Sequence, residues 1–225
     1  MIAVIVLVDF KASAKWWGWL RFVIGRFGLM GTPGLLFFKI LGSGEDGGFG
    51  LAPSATRQGL FCVFDHAHHA DQFLQQSRVV RAYREHANDF FTAKLAAFSS
   101  KGSWAGHTIS VDAVEPNHGP IAALTRASIR PSKAREFWSN SPPAEESLGQ
   151  AHGCLLAVGL GEAPIFRQAT FSIWESVDAM NQYARTGAHM RAIQASLGGH
   201  HFSESMFVRF APVEPRGIWK GRTFA

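Results

Sequence analysis

Cysteine is scarce in this chain. Cys62 and Cys154 are the only two in 225 residues, far apart and in no CxxC pair. That argues against a disulfide framework or a thiolate metal cage, and both read as reduced core residues of a cytosolic protein. Charge is also sparse, at 17% of residues. Basic residues lead, for a net charge of +5 and a pI near 9.6, yet no run of Lys or Arg forms a nucleic-acid stripe. The excess suits an anionic membrane surface, an acidic protein partner or acidic cofactor groups. Long hydrophobic runs are missing too. Met1–Phe10 is apolar but too short to cross a bilayer, and with neither a basic leader nor a small-residue cleavage site it reads as a first strand rather than a secretory signal. No Ser-His-Asp set or paired carboxylates stand out, which argues against hydrolytic chemistry. Aromatic residues, by contrast, are plentiful: with 19 Phe and 7 Trp, and 47% apolar residues overall, the chain can bury a large core and shows no disordered tail. That is more aromatic surface than a small core needs, and it points to an apolar ligand or interface.

The chain is written twice. QGLFCVFD at Gln58–Asp65 returns as QATFSIWE at Gln168–Glu175, and three further pairs follow the same order. Ile2–Ser13 matches Ile121–Ser132, Gly34–Glu45 matches Gly153–Glu162, and KGSWAG at Lys101–Gly106 matches RGIWKG at Arg216–Gly221. Four ordered matches argue for two copies of one supersecondary unit. Each copy reads strand, helix, strand, strand, helix, strand. The first has strands at Ile2–Phe10, Leu35–Leu41, Leu60–Asp65 and Phe90–Phe98, with helices at Ala14–Met30 and Ala70–Asn88. The second has strands at Ile121–Arg130, Cys154–Leu160, Ala169–Glu175 and Phe202–Phe210, with helices at Lys133–Gly149 and Val177–Leu197. This is the ferredoxin-like unit, whose antiparallel sheet has helices on one face. Two such units press their bare faces together, so the expected fold is α+β: tandem ferredoxin-like repeats forming a single-chain version of the dimeric α/β barrel, with an apolar pocket inside. The expected boundaries are a first repeat over 1–106, a linker over 107–118 and a second repeat over 119–225.

Several positions stand out against this frame. Gly42, Gly44 and Gly47 formally satisfy GxGxxG, but no helix follows to meet a pyrophosphate, so a glycine-rich loop at a pocket mouth is the better reading. His66, His68 and His69 in HAHHAD read as solvated histidines at a helix start, as do His200 and His201 at a helix exit. His189 differs, because laying RTGAHMRAI on QQSRVVRAY sets it against Val79. An imidazole where the twin is apolar fits an axial ligand of haem iron in the second half alone, or a partly exposed flank histidine. Arg126 interrupts the small apolar strand IAALTRASI, where its twin is Leu7, and a charge there needs an anionic partner: a haem propionate, or a carboxylate such as Glu204. The first helix carries Trp16, Trp17, Trp19, Phe22 and Phe27 beside Lys15, Arg21 and Arg26. Its apolar arc is wider than a one-sided helix needs, which suits a membrane headgroup region or a helix covered by a partner.

KILGSGEDGGF at Lys39–Phe49, GPIAALTRASIRPSKAREFW at Gly119–Trp138, the GxGEAP at Gly159–Pro164, TFSIW, AHMRAI and ESMFVRF together resemble the spheroidene monooxygenase family, over nearly the whole chain. The resemblance implies a haem-dependent monooxygenase that introduces oxygen into an acyclic carotenoid near the end of its polyene, using haem b and an external electron donor such as a ferredoxin. It sets His189 on the family's AH-x-x-x-I helix as the iron ligand and Arg126 on its LTRA strand as a catalytic and cofactor-binding position. Lys39, Gly42, Ser43 and Gly44 fall on its K-x-x-GSG segment as cofactor-binding residues. The HAHHAD turn and the Pro142-Pro143 break depart from the family pattern. The implied setting is cytoplasmic, with peripheral contact to the inner membrane through residues 14–30 and no nucleic-acid partner. Two other readings stay open: a non-catalytic carrier of haem or another apolar ligand on the same fold, and a cofactor-free α+β barrel enzyme.

Overall fold

The computed structural model describes residues 1–45, 48, 52–139, 148, 151–163, 165–186, 190 and 200–225. The first half runs β1 (Ile2–Phe10), a 3-10 turn at Ala12–Ala14, α1 (Lys15–Ile24), α2 (Arg26–Leu29), β2 (Leu35–Gly44), β3 (Pro53–Phe64), α3 (Ala67–Gln76), α4 (Arg78–Glu85) and β4 (Ala87–Gly102). The second runs β5 (Ile121–Ile129), α5 (residues 134–139), β6 (Cys154–Ala163), β7 (Arg167–Trp174), α6 (Val177–Ala184), β8 (Phe202–Trp219) and the short β9 (Arg222–Phe224).

The strand order β4-β1-β3-β2-β6-β7-β5-β8, with β8 pairing back onto β4, closes an eight-stranded antiparallel barrel, and β9 extends β8 outside the ring. Each half contributes four neighbouring strands in the order of a ferredoxin-like unit, so the fold is the α+β tandem barrel that the repeat leads one to expect. β1 shows why its sequence is apolar at nearly every position. Ala3, Ile5 and Leu7 point into the barrel, while Val4, Val6 and Val8 lie under the helices. A strand buried on both faces needs no polar alternation.

Three differences from the sequence reading have physical causes. The helix expected over Ala70–Asn88 is two helices, because Ser77 takes extended angles and its hydroxyl accepts a hydrogen bond from the Val79 N–H, capping α4. β4 and β8 are much longer than their apolar cores, since their mutual ladder runs from Phe91↔Gly217 to Gly102↔Met206 and backbone pairing recruits polar residues. Among the described residues, the barrel interior is filled by side chains. Leu7, Leu41, Phe61, Phe91, Phe171 and Phe210 fill it, and the twin residues Trp104 and Trp219 are buried in the same core near opposite ends of the β4–β8 ladder. An eight-stranded barrel is just wide enough for side chains to fill. Much of the two expected second-half helices, 140–147 and 191–199 in particular, lies outside the described residues.

Because Ile5, Phe91, Leu124 and Phe171 are buried only by the meeting of the two halves, neither half should fold alone. Expressed separately, 1–106 and 119–225 should be insoluble, or should regain a cooperative melt only when mixed. Two independently folded monomers, each with its own sharp thermal transition, would contradict the shared core.

Candidate functional site

A partly buried chain of charges, with Arg126 its most buried member, crosses from one half of the barrel to the other. Lys39 on β2 places its Nζ 2.5 Å from Glu162 Oε1 on β6. Glu162 Oε2 accepts a hydrogen bond from Trp104 Nε1 at 2.9 Å and lies 3.5 Å from an Arg126 guanidinium nitrogen. The other guanidinium nitrogen of Arg126 bonds Glu204 on β8 at 2.5 Å. Ser103 Oγ and the backbone N–H groups of Ala105 and Gly106 also donate to Glu204. Arg126 is 3% exposed and sits over the Trp104 ring, 5.7 Å from its centre, with its Nε lacking a partner among the described residues. Burial pushes the Glu162 pKa up, but the hydrogen bonds of Lys39 and Trp104 and the charges of Lys39 and Arg126 bring it below its ordinary value. For Glu204 burial likewise raises the pKa, and the donors at Gly106, Ser103, Ala105 and Arg126 outweigh it, taking it from 4.5 to about 2.

The two seams between the halves are unequal. The β4–β8 seam is long, whereas β2 meets β6 at Gly42↔Gly161 and Ser43↔Leu160, helped by the Ser43 hydroxyl donating to the Gly159 carbonyl at 2.7 Å. Where these strands part, a cavity of about 370 Å³ opens on the α1 side, walled by Trp19, Phe22, Gly42, Gln58, Gly161 and Ile165. Its walls are largely apolar. A side chain at Gly42 would point at Phe22, whose ring is 3.7 Å from the Cβ position, so glycine there leaves room. Arg57, Gln168 and Ser43 add polar groups to the lining, and so does Gln58. Its Nε2 donates to the Gly18 carbonyl at 2.6 Å and pins α1, while its buried Oε1 has no partner among the described residues. An unpaired buried acceptor beside the cavity carries a desolvation cost, which a donor reaching it would relieve. Ile165, at the cavity edge, holds φ of 75°, a strained conformation for a β-branched residue.

The residues singled out in the sequence divide between these two places. Gly42, Ser43 and Gly44 line the cavity, as part of strand β2 rather than of a loop. Lys39 and Arg126 belong to the charge chain inside the barrel. Of the two anionic partners expected for Arg126, the structure supplies the carboxylate Glu204 and adds Glu162; a propionate would have to displace one of them. His189 lies outside the described residues. His66 and His68 are exposed at the start of α3 as expected, while His69 Nδ1 lies 2.6 Å from Asp65 Oδ1. His201 is buried rather than solvated, with Nε2 3.1 Å from Glu136. Sequence reasoning passed over Glu162, Trp104 and Gln58. Glu162 could have been found as the acidic residue in a strand position whose twin segment carries Lys39, the cation it binds.

No family model matches the chain. Among curated proteins, it is 53% identical to the spheroidene monooxygenase of Rubrivivax gelatinosus over 223 residues, covering 99% of this chain and 86% of that one. It is 33% identical to the spheroidene monooxygenase of Rhodobacter capsulatus over 206 residues, covering 90% and 86%. Among solved structures, an aldoxime dehydratase in complex with butyraldoxime superposes with a TM-score of 0.62 at 10% identity, covering 94% of this chain and 79% of that one, a likeness of fold alone.

Replacing Arg126 with Met should cost about 3–5 kcal/mol in denaturant unfolding, because Glu204 and part of Glu162 lose a buried counter-charge. The double change Arg126→Met/Glu204→Gln, which leaves the Lys39–Glu162 pair intact, should recover much of that loss. Equal loss in both variants would show that packing, not charge, is what Arg126 supplies. A pH series tests the same chain. A carboxylate depressed on folding adds stability above its unfolded pKa and loses it as pH falls through the folded one, here from about 4.5 toward about 2. Urea midpoints should fall across that window, and less steeply in Glu204→Gln.

Proposed function

The chain belongs to the spheroidene monooxygenase family, and from that premise we propose that it introduces oxygen into an acyclic carotenoid, using haem b. It is an oxidoreductase, a monooxygenase: one oxygen atom enters a C–H bond and the other leaves as water, with electrons and protons supplied from outside. The observation that carries the substrate reading is the cavity at the β2–β6 seam, whose walls are largely apolar. Its volume of about 370 Å³ suits the end of a long polyene rather than the whole molecule. Gly42 lets an apolar chain approach the β2 backbone, Phe22 and Trp19 line its path, and the Gln58 side chain is among the polar groups near the chain end. Position near the oxidant then selects the carbon that reacts.

Haem supplies, when bound, oxygen activation that no side chain offers. The described residues do not make a seat for it by themselves. None of the described residues lining the cavity is a histidine, and Lys39 and Arg126 are already matched by carboxylates. We therefore assign the iron to His189, on the strength of the family resemblance and of its apolar twin Val79, with a ferredoxin-type protein as electron donor. Arg126 does not line the cavity, so its part is to hold β5, β6 and β8 in register rather than to touch substrate.

The visible spectrum of the protein as isolated separates the readings. A Soret band that disappears in His189→Ala, with far-UV circular dichroism unchanged, supports the assignment. A colourless, active protein would favour a cofactor-free barrel enzyme, and a coloured protein without turnover a carrier. Gly42→Val tests the cavity independently. It should cut turnover of a carotenoid about tenfold or more by displacing the chain end, with an unchanged melting temperature. Full activity in that variant would move the substrate elsewhere.

A further inference from the structure

Helix α1 is apolar on both of its faces. One face serves the fold: Trp17 stacks on His86 with ring centres 4.1 Å apart and meets Tyr83 edge-on, and Gly18 lies so close to Phe10 that a Cβ there would be 2.5 Å from its ring. Trp17 thus belongs to the core and Phe22 to the cavity wall, and neither is free for the membrane contact expected of them from the sequence. The opposite face has no such partner. Trp16 is 73% exposed, Trp19 58% and Val23 50%, and Phe27 in α2 is 62% exposed. With Leu20 these residues recur at helical spacing as one stripe, where a water-facing helix carries polar side chains.

The exposed charge beside this stripe is of one sign: Lys11, Lys15 and Arg26 are exposed, and the segment from Phe10 to Gly44 contains no acid. Lys15 lies over the Trp16 ring at 5.7 Å and Arg26 over the Phe27 ring at 5.0 Å, so exposed cations sit directly beside exposed aromatic rings. Aromatic rings interleaved with cations suit the boundary between acyl chains and phosphates in a bilayer. A second copy of the chain fits poorly, because a twofold contact here would set these cations against each other with no acid to pair them. No described helix is long and apolar enough to cross a membrane, so a helix lying in the surface is the geometry available.

We infer that the exposed face of α1 and α2 docks on an anionic lipid surface, and that substrate passes from the lipid into the seam cavity past Trp19. The second half rests on the reading of that cavity as the substrate site. Trp19 belongs both to the exposed stripe and to the cavity wall, so the apolar surface is continuous from outside to inside. The opposite lip is apolar as well, with Ile165 39% and Phe166 41% exposed.

Flotation with vesicles of phosphatidylcholine, with and without phosphatidylglycerol, tests the docking without any substrate. The full-length protein should float with the anionic vesicles, and raised salt should weaken that binding. The variant Trp16→Ser/Val23→Ser/Phe27→Ser, whose changes lie outside the cavity wall, should bind about tenfold more weakly or worse while keeping its melting temperature. The same variant should oxygenate detergent-delivered carotenoid at the parent rate and lose activity on carotenoid embedded in vesicles. Wild type that ignores anionic vesicles, or a variant that binds them equally, overturns the proposal. So does a wild-type dimer that the variant converts to monomer, which would give this face to a second copy. Vesicle binding without turnover in either medium would overturn the substrate reading and the loading step, while leaving the docking supported.

Discussion

An antiparallel sheet with helices on one side has a second apolar face, and each half of this chain buries that face against the other. Phe61 and Phe91 from the first half and Phe171 and Phe210 from the second meet in one core. Everything else follows from that mutual burial. The sheet must close, so edge strands disappear into the β4–β8 ladder, and among the described residues aromatic side chains fill the interior. The described cavity lies where the two halves meet by their shorter ladder.

The charge chain makes closure specific. A guanidinium inside an apolar core is costly unless its partners are placed correctly, and the partners of Arg126 come from β6 and β8. Lys39 joins β2 to β6 by the same means, across the seam where backbone pairing is shortest. A one-residue slip between the halves would turn every core side chain to the opposite face of its strand, so packing already opposes it. The Lys-Glu-Arg-Glu sequence of contacts, with Trp104 donating into it, adds a second cost, since the same shift would leave Arg126 without its carboxylates.

Repetition supplies the scaffold, and departures from it supply the site. The halves share strand order and the Trp104–Trp219 pair, yet only the first has a tryptophan-rich helix after its first strand, and that helix walls the cavity at the weaker seam. Gln58 ties the two together: its amide nitrogen pins α1 through the Gly18 carbonyl, and the same side chain lines the cavity. Asymmetry in one helix and one seam therefore sets the described cavity on one side of a nearly symmetric barrel.

The repeat, the strand identities and the α+β class were legible in the sequence because they depend on local periodicity and on segments that match in order. Arg126 was legible as a problem, a charge in an apolar strand, and the glycines at 42 and 44 as places where a backbone is left open. Which anion answers Arg126 was decided by tertiary structure, since Glu162 and Glu204 lie 36 and 78 residues along the chain. The split at Ser77 was hidden because a single capping hydroxyl outweighs continuous periodicity. Trp16 and Trp17, adjacent in sequence and alike in chemistry, go to opposite fates, one exposed and one packed on His86. Composition sets how much aromatic surface the chain carries; only the packing of α1 on β1 and β3 determines which of it faces inward, because a helix turns about 100° per residue and the barrel fixes which side meets the sheet.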